Sequence, residues 1–94
     1  MEAHYHAAEG LVFSSLGDEA VILGLNAGVY YGLNAVGARV WEQLQMPQTL
    51  DALCEIITAE FAVTPEQCQL DIQALLADLQ KNGLVVVVAT PGQE

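Results

Sequence analysis

The stretch GVYYGLNAVGARVWEQL, Gly28–Leu44, changes its periodicity at a single residue. Up to Leu33 it is a short aromatic and β-branched run. From Ala35 onward, Val36, Val40, Trp41 and Leu44 recur at helical spacing. Asn34 stands between the two. An Asn side chain accepts a bond from an otherwise unpaired amide of the first helical turn, so Asn34 predicts an N-cap. The junction therefore predicts a strand that ends abruptly in a helix, and it orders the whole chain: strands before it, helices after.

Ahead of the junction, LVFSSL (11–16) and AVILGL (20–25) are separated by Gly17-Asp18. That pair is a hairpin signal because Gly accepts positive φ. Asn26–Gly28 predicts a three-residue hairpin loop with Gly at the left-handed position, and Val29–Leu33 follows as the third strand of an antiparallel meander. Behind the junction, Pro47 closes the first helix, since the residue before a proline avoids the α region. Thr49 caps a second helix with the apolar stripe Leu50, Leu53, Cys54, Ile57 and Phe61. The run TPEQ opens a third: Thr64 caps it, Pro65 occupies the first helical position, and Gln67 completes a capping box. Its core face is Cys68, Ile72, Leu75, Leu76 and Leu79. Lys81 suits the negative end of the helix dipole and Gly83 stops the helix.

Leu84–Ala89, LVVVVA, reads as a further strand. A continuous Val run is buried on both faces or pairs with another chain. It is expected to return over the first strand, 11–16, and leave Val29–Leu33 as the free edge. The fold class is α+β and winged-helix-like: a three-stranded antiparallel meander, then three α-helices, with an additional C-terminal strand. One domain, 1–94, accommodates it, with Met1–Gly10 as a loosely ordered N-terminal segment.

Charge excludes more functions than any motif. Twelve acidic and two basic side chains leave a formal net charge of −10. Binding a polyanion requires Lys and Arg to replace condensed counterions, which Arg39 and Lys81 cannot do alone. Nucleic acid and anionic membrane are poor partners, whereas a basic peptide or protein is attracted. No apolar run approaches the ~18 residues of a membrane span, although 53% of the residues are hydrophobic. The first ten residues also lack the basic start and apolar core of a secretory signal. A cytoplasmic location is expected, with Cys54 and Cys68 as reduced core residues.

Catalytic and metal constellations are weak. His4 and His6 can face one way on an extended chain, but no Cys or further His is near in sequence to complete a tetrahedral site. Ser14 and Ser15 have no plausible base, because the only histidines are His4 and His6. No Gly-rich phosphate loop follows a strand. The expectation is no enzyme activity, no metal and no cofactor. A geometric signal is sharper. On a 3.6-residue period Asp71, Asp78 and Asn82 share one flank of the third helix, beside Leu75 and Leu79. A core stripe with a solvated rim would look the same from sequence. Likewise Tyr30 and Tyr31 must point to opposite faces of their strand, one inward and one outward.

The ordered set GVYYGLNAVGARVWEQL, TLDALCEIITAEF and DIQALLADLQKNGLV resembles the PqqD-like family, the RiPP recognition elements, over roughly Leu11–Val85. The carrying features are the aromatic strand running into Leu33-Asn34, Val36-Gly37 and Trp41 on the first helix, and the pattern from Asp71 to the closing NGL. The details look closer to lasso-peptide members than to the quinone-cofactor branch. The resemblance implies non-catalytic binding of the leader segment of a ribosomally made precursor peptide, added as a strand to the third strand and lying against the third helix. It implies delivery to maturation enzymes such as a leader peptidase or a radical enzyme. Carried over, it places the binding edge at Val29, Tyr30, Tyr31, Gly32 and Leu33 and the wall at Asp71, Leu75, Asp78, Leu79 and Asn82. The Val-rich tail goes beyond the family pattern and leaves monomer and homodimer both open.

Two other readings fit the same elements. A winged-helix DNA-binding regulator has this element set, but the acidic third helix would repel phosphate. A structural subunit that binds no leader differs only in its partners.

Overall fold

Two glycines in the left-handed region, Gly17 at φ +66° and Gly28 at φ +69°, reverse the chain where the sequence predicts its hairpins. In the computed structural model, which describes residues 3–24 and 28–88, β1 is His4–Ala7, β2 Leu11–Leu16, β3 Glu19–Gly24 and β4 Val29–Leu33. These are followed by α1 (Ala35–Gln43), α2 (Leu50–Glu60), α3 (Pro65–Lys81) and β5 (Val85–Val88). Leu25, Asn26, Ala27 and Ala89, parts of the expected loop and strands, lie outside the described residues.

The meander β2-β3-β4 forms with the expected connectivity. Positive φ at Gly17 but not at Asp18 is the pattern of a II′ turn, whose twist matches that of the flanking strands. All six residues of β2 pair in register with β3, from Leu11↔Gly24 to Leu16↔Glu19, without a bulge. The period-2 alternation sends Ala20, Ile22 and Leu33 into the core. On the opposite face Val12, Leu23 and Tyr30 form one exposed cross-strand row.

Each helix starts where a side chain satisfies an orphan amide. Asn34 Oδ1 accepts from Gly37 N at 2.9 Å, Thr49 Oγ1 from Ala52 N at 3.1 Å, and Thr64 Oγ1 from Gln67 N at 3.2 Å. The capping box at Thr64 forms only by half. The Gln67 amide donates forward to Asp71 Oδ1 at 2.8 Å rather than acting at the cap. Val40 and Trp41 from α1, with Leu44 at its C-cap, meet Leu53 and Ile57 from α2 and Cys68, Ile72, Leu76 and Leu79 from α3 in one core. Gly37 lets α1 approach β4: a Cβ there would stand 3.0 Å from Leu33 Cδ2. Arg39 ties α1 to α2 through both carboxylate oxygens of Glu60, at 2.8 and 2.9 Å.

The ends of the chain depart from expectation. Residues 4–7 form a strand instead of a loose terminus, and β5 pairs antiparallel with it, Ala7↔Val85 to His4↔Val88, rather than with 11–16. The reason is that β1 is anchored on its other side. Tyr5 N donates to Gln48 O at 2.7 Å, Gln48 N returns a bond to Tyr5 O at 2.9 Å, and Ala7 N donates to Leu44 O at 2.8 Å. A strand held this way offers β5 a fixed partner, and buried Ala7 and Val85 close the core beneath it. The meander consequently has two unpaired edges among the described residues, β4 and β2, where one was expected.

Both cysteines are free, and Cys68 is buried. Burial, with Cys68 and Asp51 nearby, pushes the Cys54 thiol up to about 11, so it stays protonated and unreactive near neutrality.

Candidate functional site

The register dictates which backbone groups the β4 edge leaves open. In an antiparallel pair the directly opposed residues alternate between bonded and non-bonded pairs. The two-residue turn makes Leu16↔Glu19 a bonded pair, so Val21 and Leu23 bond toward β2 while Ala20, Ile22 and Gly24 bond toward β4. Tyr31 and Leu33 are then occupied by β3. Tyr30 and Gly32 turn their N–H and C=O outward, to an edge with no further strand among the described residues.

A groove of about 350 Å³ runs beside this edge, walled by Tyr31 to Asn34 on the strand side and by Asp71, Ile72 and Leu75 on α3. Val36 and Gly37 close its floor at the start of α1. Side chains at alternate positions of an added strand would point into it. The α3 wall combines half-buried Leu75 with the exposed carboxylates of Asp71 and Asp78, and no basic residue lines the groove. Asp71 already accepts one bond from Gln67, but a carboxylate has room for about four donors. The chemistry offered is therefore a row of main-chain bonds, a small apolar surface and a site for a cation or hydrogen-bond donor.

Tyr31 and Asp78 set the width of the groove beyond Leu75. The Tyr31 hydroxyl donates to Asp78 Oδ2 at 2.5 Å. Burial of the ring, then this bond and the Asp78 charge, push the Tyr31 phenol up to about 12. The alternation on β4 also settles which tyrosine does what: Tyr31 faces α3, while Tyr30 is 72% exposed on the other side of the sheet.

The structure gathers Tyr31, Gly32, Leu33, Asp71 and Leu75 around the groove and places Asp78 at its Tyr31 end. Val29 and Tyr30 share the strand, Tyr30 through its backbone. Leu79 does not belong to the wall. It is 0% exposed, because its position on the α3 face points at the core and not along the Asp71–Leu75–Asp78 stripe. Asn82 is spent on the helix end, its Nδ2 donating to Asp78 O at 2.8 Å. Val36, Gly37 and Ile72 were not foreseen as lining. The tight Asn34 cap, which folds α1 back over β4, is the signal that could have found the first two. Among the described residues no three His, Cys, Asp or Glu side chains lie close enough together to hold a metal ion.

The model of the family described as coenzyme PQQ synthesis protein D (PqqD) matches residues 19–85, from the start of β3 to the start of β5. The chain belongs to the PqqD family. Domains of the PqqD family are non-catalytic binding modules. A solved structure described as TbiB1 in complex with the TbiA(beta) leader peptide superimposes with a TM-score of 0.79 at 29% identity, covering 90% of this chain and 99% of that one. A second, lasso peptide synthetase B1 complexed with the leader peptide, gives a TM-score of 0.76 at 22% identity, with 87% and 96% covered, and shares the fold. No curated protein matches the chain.

Proposed function

We propose that this PqqD-family domain binds the leader segment of a ribosomally synthesised precursor peptide along β4 and delivers it to the enzymes that mature that peptide. The observation that carries the reading is the β4 edge, where Tyr30 and Gly32 turn their N–H and C=O outward to no further strand among the described residues, lying directly beside a groove to α3. Strand addition obtains affinity from main-chain bonds and register from side-chain pockets, and both elements are present here. The fold match to TbiB1, a structure solved with a leader peptide, supports the same ligand class. Tyr30 and Gly32 supply the backbone bonds. Tyr31, Leu33 and Leu75 receive an apolar leader side chain, and Asp71 and Asp78 meet a basic or hydroxylated one.

The site of action is the cytoplasm, where precursor peptides are made and where the two free thiols stay reduced. No described helix is long and apolar enough to cross a membrane. The receiving enzyme is a leader peptidase or a radical enzyme, with the domain acting as a non-catalytic adaptor.

The test is a backbone NMR titration with the leader encoded beside this gene. Amide shifts concentrated on Val29–Leu33 and on α3 from Asp71 to Asp78 are expected. Shifts confined to β5 or to α2 would overturn the reading.

A further inference from the structure

The second open edge of the meander repeats the arrangement of the first. By the same register, Leu11, Phe13 and Ser15 of β2 turn their N–H and C=O outward. Beside them, between β2 and α1, lies a pocket of about 290 Å³ lined by Leu11, Phe13, Trp41, Glu42 and Gln45. Thus α1 stands to β2 as α3 stands to β4. Exposed sheet edges are normally blunted by Lys, Pro or a bulge. The sequence LVFSSL has no charge and no proline, and its pairing has no bulge. Such an edge, six residues long with a side-chain pocket attached, is built to be paired.

We propose that β2 and this pocket form a second strand-addition site, which takes an extended segment of the receiving maturation enzyme. The segment carries a large apolar residue flanked by Lys or Arg. The apolar residue seats against Leu11, Phe13 and the edge of Trp41, and the flanking cations meet Glu42 and the acids at the two ends of the strand, Glu9, Asp18 and Glu19. Charge selects this occupant. The nearby cation, Arg39, is already held by Glu42 and Glu60, so the surface presents net negative charge. A second copy of the chain would bring the same acids and a further net charge of −10 against them. The two edges are independent: strands added at β4 and at β2 would lie four strand spacings apart, about 19 Å. A leader and an enzyme segment can therefore be held on one sheet at the same time.

The enzyme's identity rests on the leader-binding reading, but the site itself can be tested without a leader. The probe is a capped octapeptide in which Lys alternates with Leu around one central Phe. Trp41 is the chain's one tryptophan and lines the pocket, so its fluorescence reports occupancy directly. The expected result is a saturable change in Trp41 emission with NMR shifts on Leu11–Ser15. Affinity should stay within twofold in Gly32→Pro, whose β4 edge is blocked, and fall at least tenfold in Ser15→Pro, which removes an outward N–H while leaving the bonds to β3. Glu42→Lys, at an exposed position, should weaken binding severalfold at low salt. An analogue with Glu in place of Lys should bind at least tenfold more weakly. Shifts confined to β4 and α3, no saturable response at Leu11–Ser15, or a dimer that perturbs those amides without probe would each overturn the proposal.

Discussion

The Tyr31 hydroxyl donates to Asp78 Oδ2 at 2.5 Å, joining β4 to α3 across 47 positions of sequence. This is the cross-link that holds the strand edge at a set distance from the helix wall. Its pH dependence follows from the direction of the Tyr31 shift. The folded phenol titrates at about 12, above the ordinary value of 10.0, so its contribution is complete below pH 10 and is lost as pH rises from 10 through 12. A late phenolate absorbance step near pH 12 is expected, and Tyr31→Phe should abolish it. The same variant should lower stability by about 0.5 kcal/mol, the low end for a hydrogen bond because this one is exposed, read from the denaturation midpoint.

Gly32 separates edge chemistry from packing. A Cβ at Gly32 would meet nothing within 4 Å, so Gly32→Ala should fold normally and keep most leader affinity. Gly32→Pro removes one of the outward N–H groups and should cost at least tenfold in leader Kd with little change in melting. Calorimetric titration of both variants checks this. Equal binding by wild type and Gly32→Pro would place the leader elsewhere.

Asp71→Lys tests the acidic wall. Affinity for a leader carrying Lys or Arg should fall severalfold, more at low than at high salt, because screening shortens the reach of the lost attraction. A salt-independent loss would indicate a packing defect instead.

Trp41 is 3% exposed and lies where α1 meets the core. Trp41→Ala should cost ~3–5 kcal/mol, the range for a large buried aromatic. For a domain of this size that corresponds to a drop in Tm of roughly 12 °C or more. A variant melting within a degree or two of wild type would contradict the packing described here.

No nucleic-acid binding is expected at physiological ionic strength. The two basic residues face a net charge of −10, and Arg39 is already engaged by Glu42 and Glu60. A gel shift with retained, salt-dependent DNA complex would revive the winged-helix regulator reading.

Local chemistry was legible in the chain wherever it acts over a few residues. Asn34, Thr49 and Thr64 cap their helices as their side chains dictate, and Gly17 and Gly28 turn as only glycine readily does. The strand Val29–Leu33 and the acidic flank of α3 were likewise readable, because 2.0- and 3.6-residue periods belong to the backbone itself. What the tertiary structure decided was which of these surfaces meet. The HYHA run became a strand only because Gln48 and Leu44 on one side and Val85–Val88 on the other supply its partners, all far away in sequence. Leu79 left the groove for the core, and Tyr31 rather than Tyr30 turned toward Asp78, because helix azimuth and strand face are set by what packs behind them. Periodicity names a stripe, but only the neighbouring elements determine which part of it is buried and which part is left open to a partner.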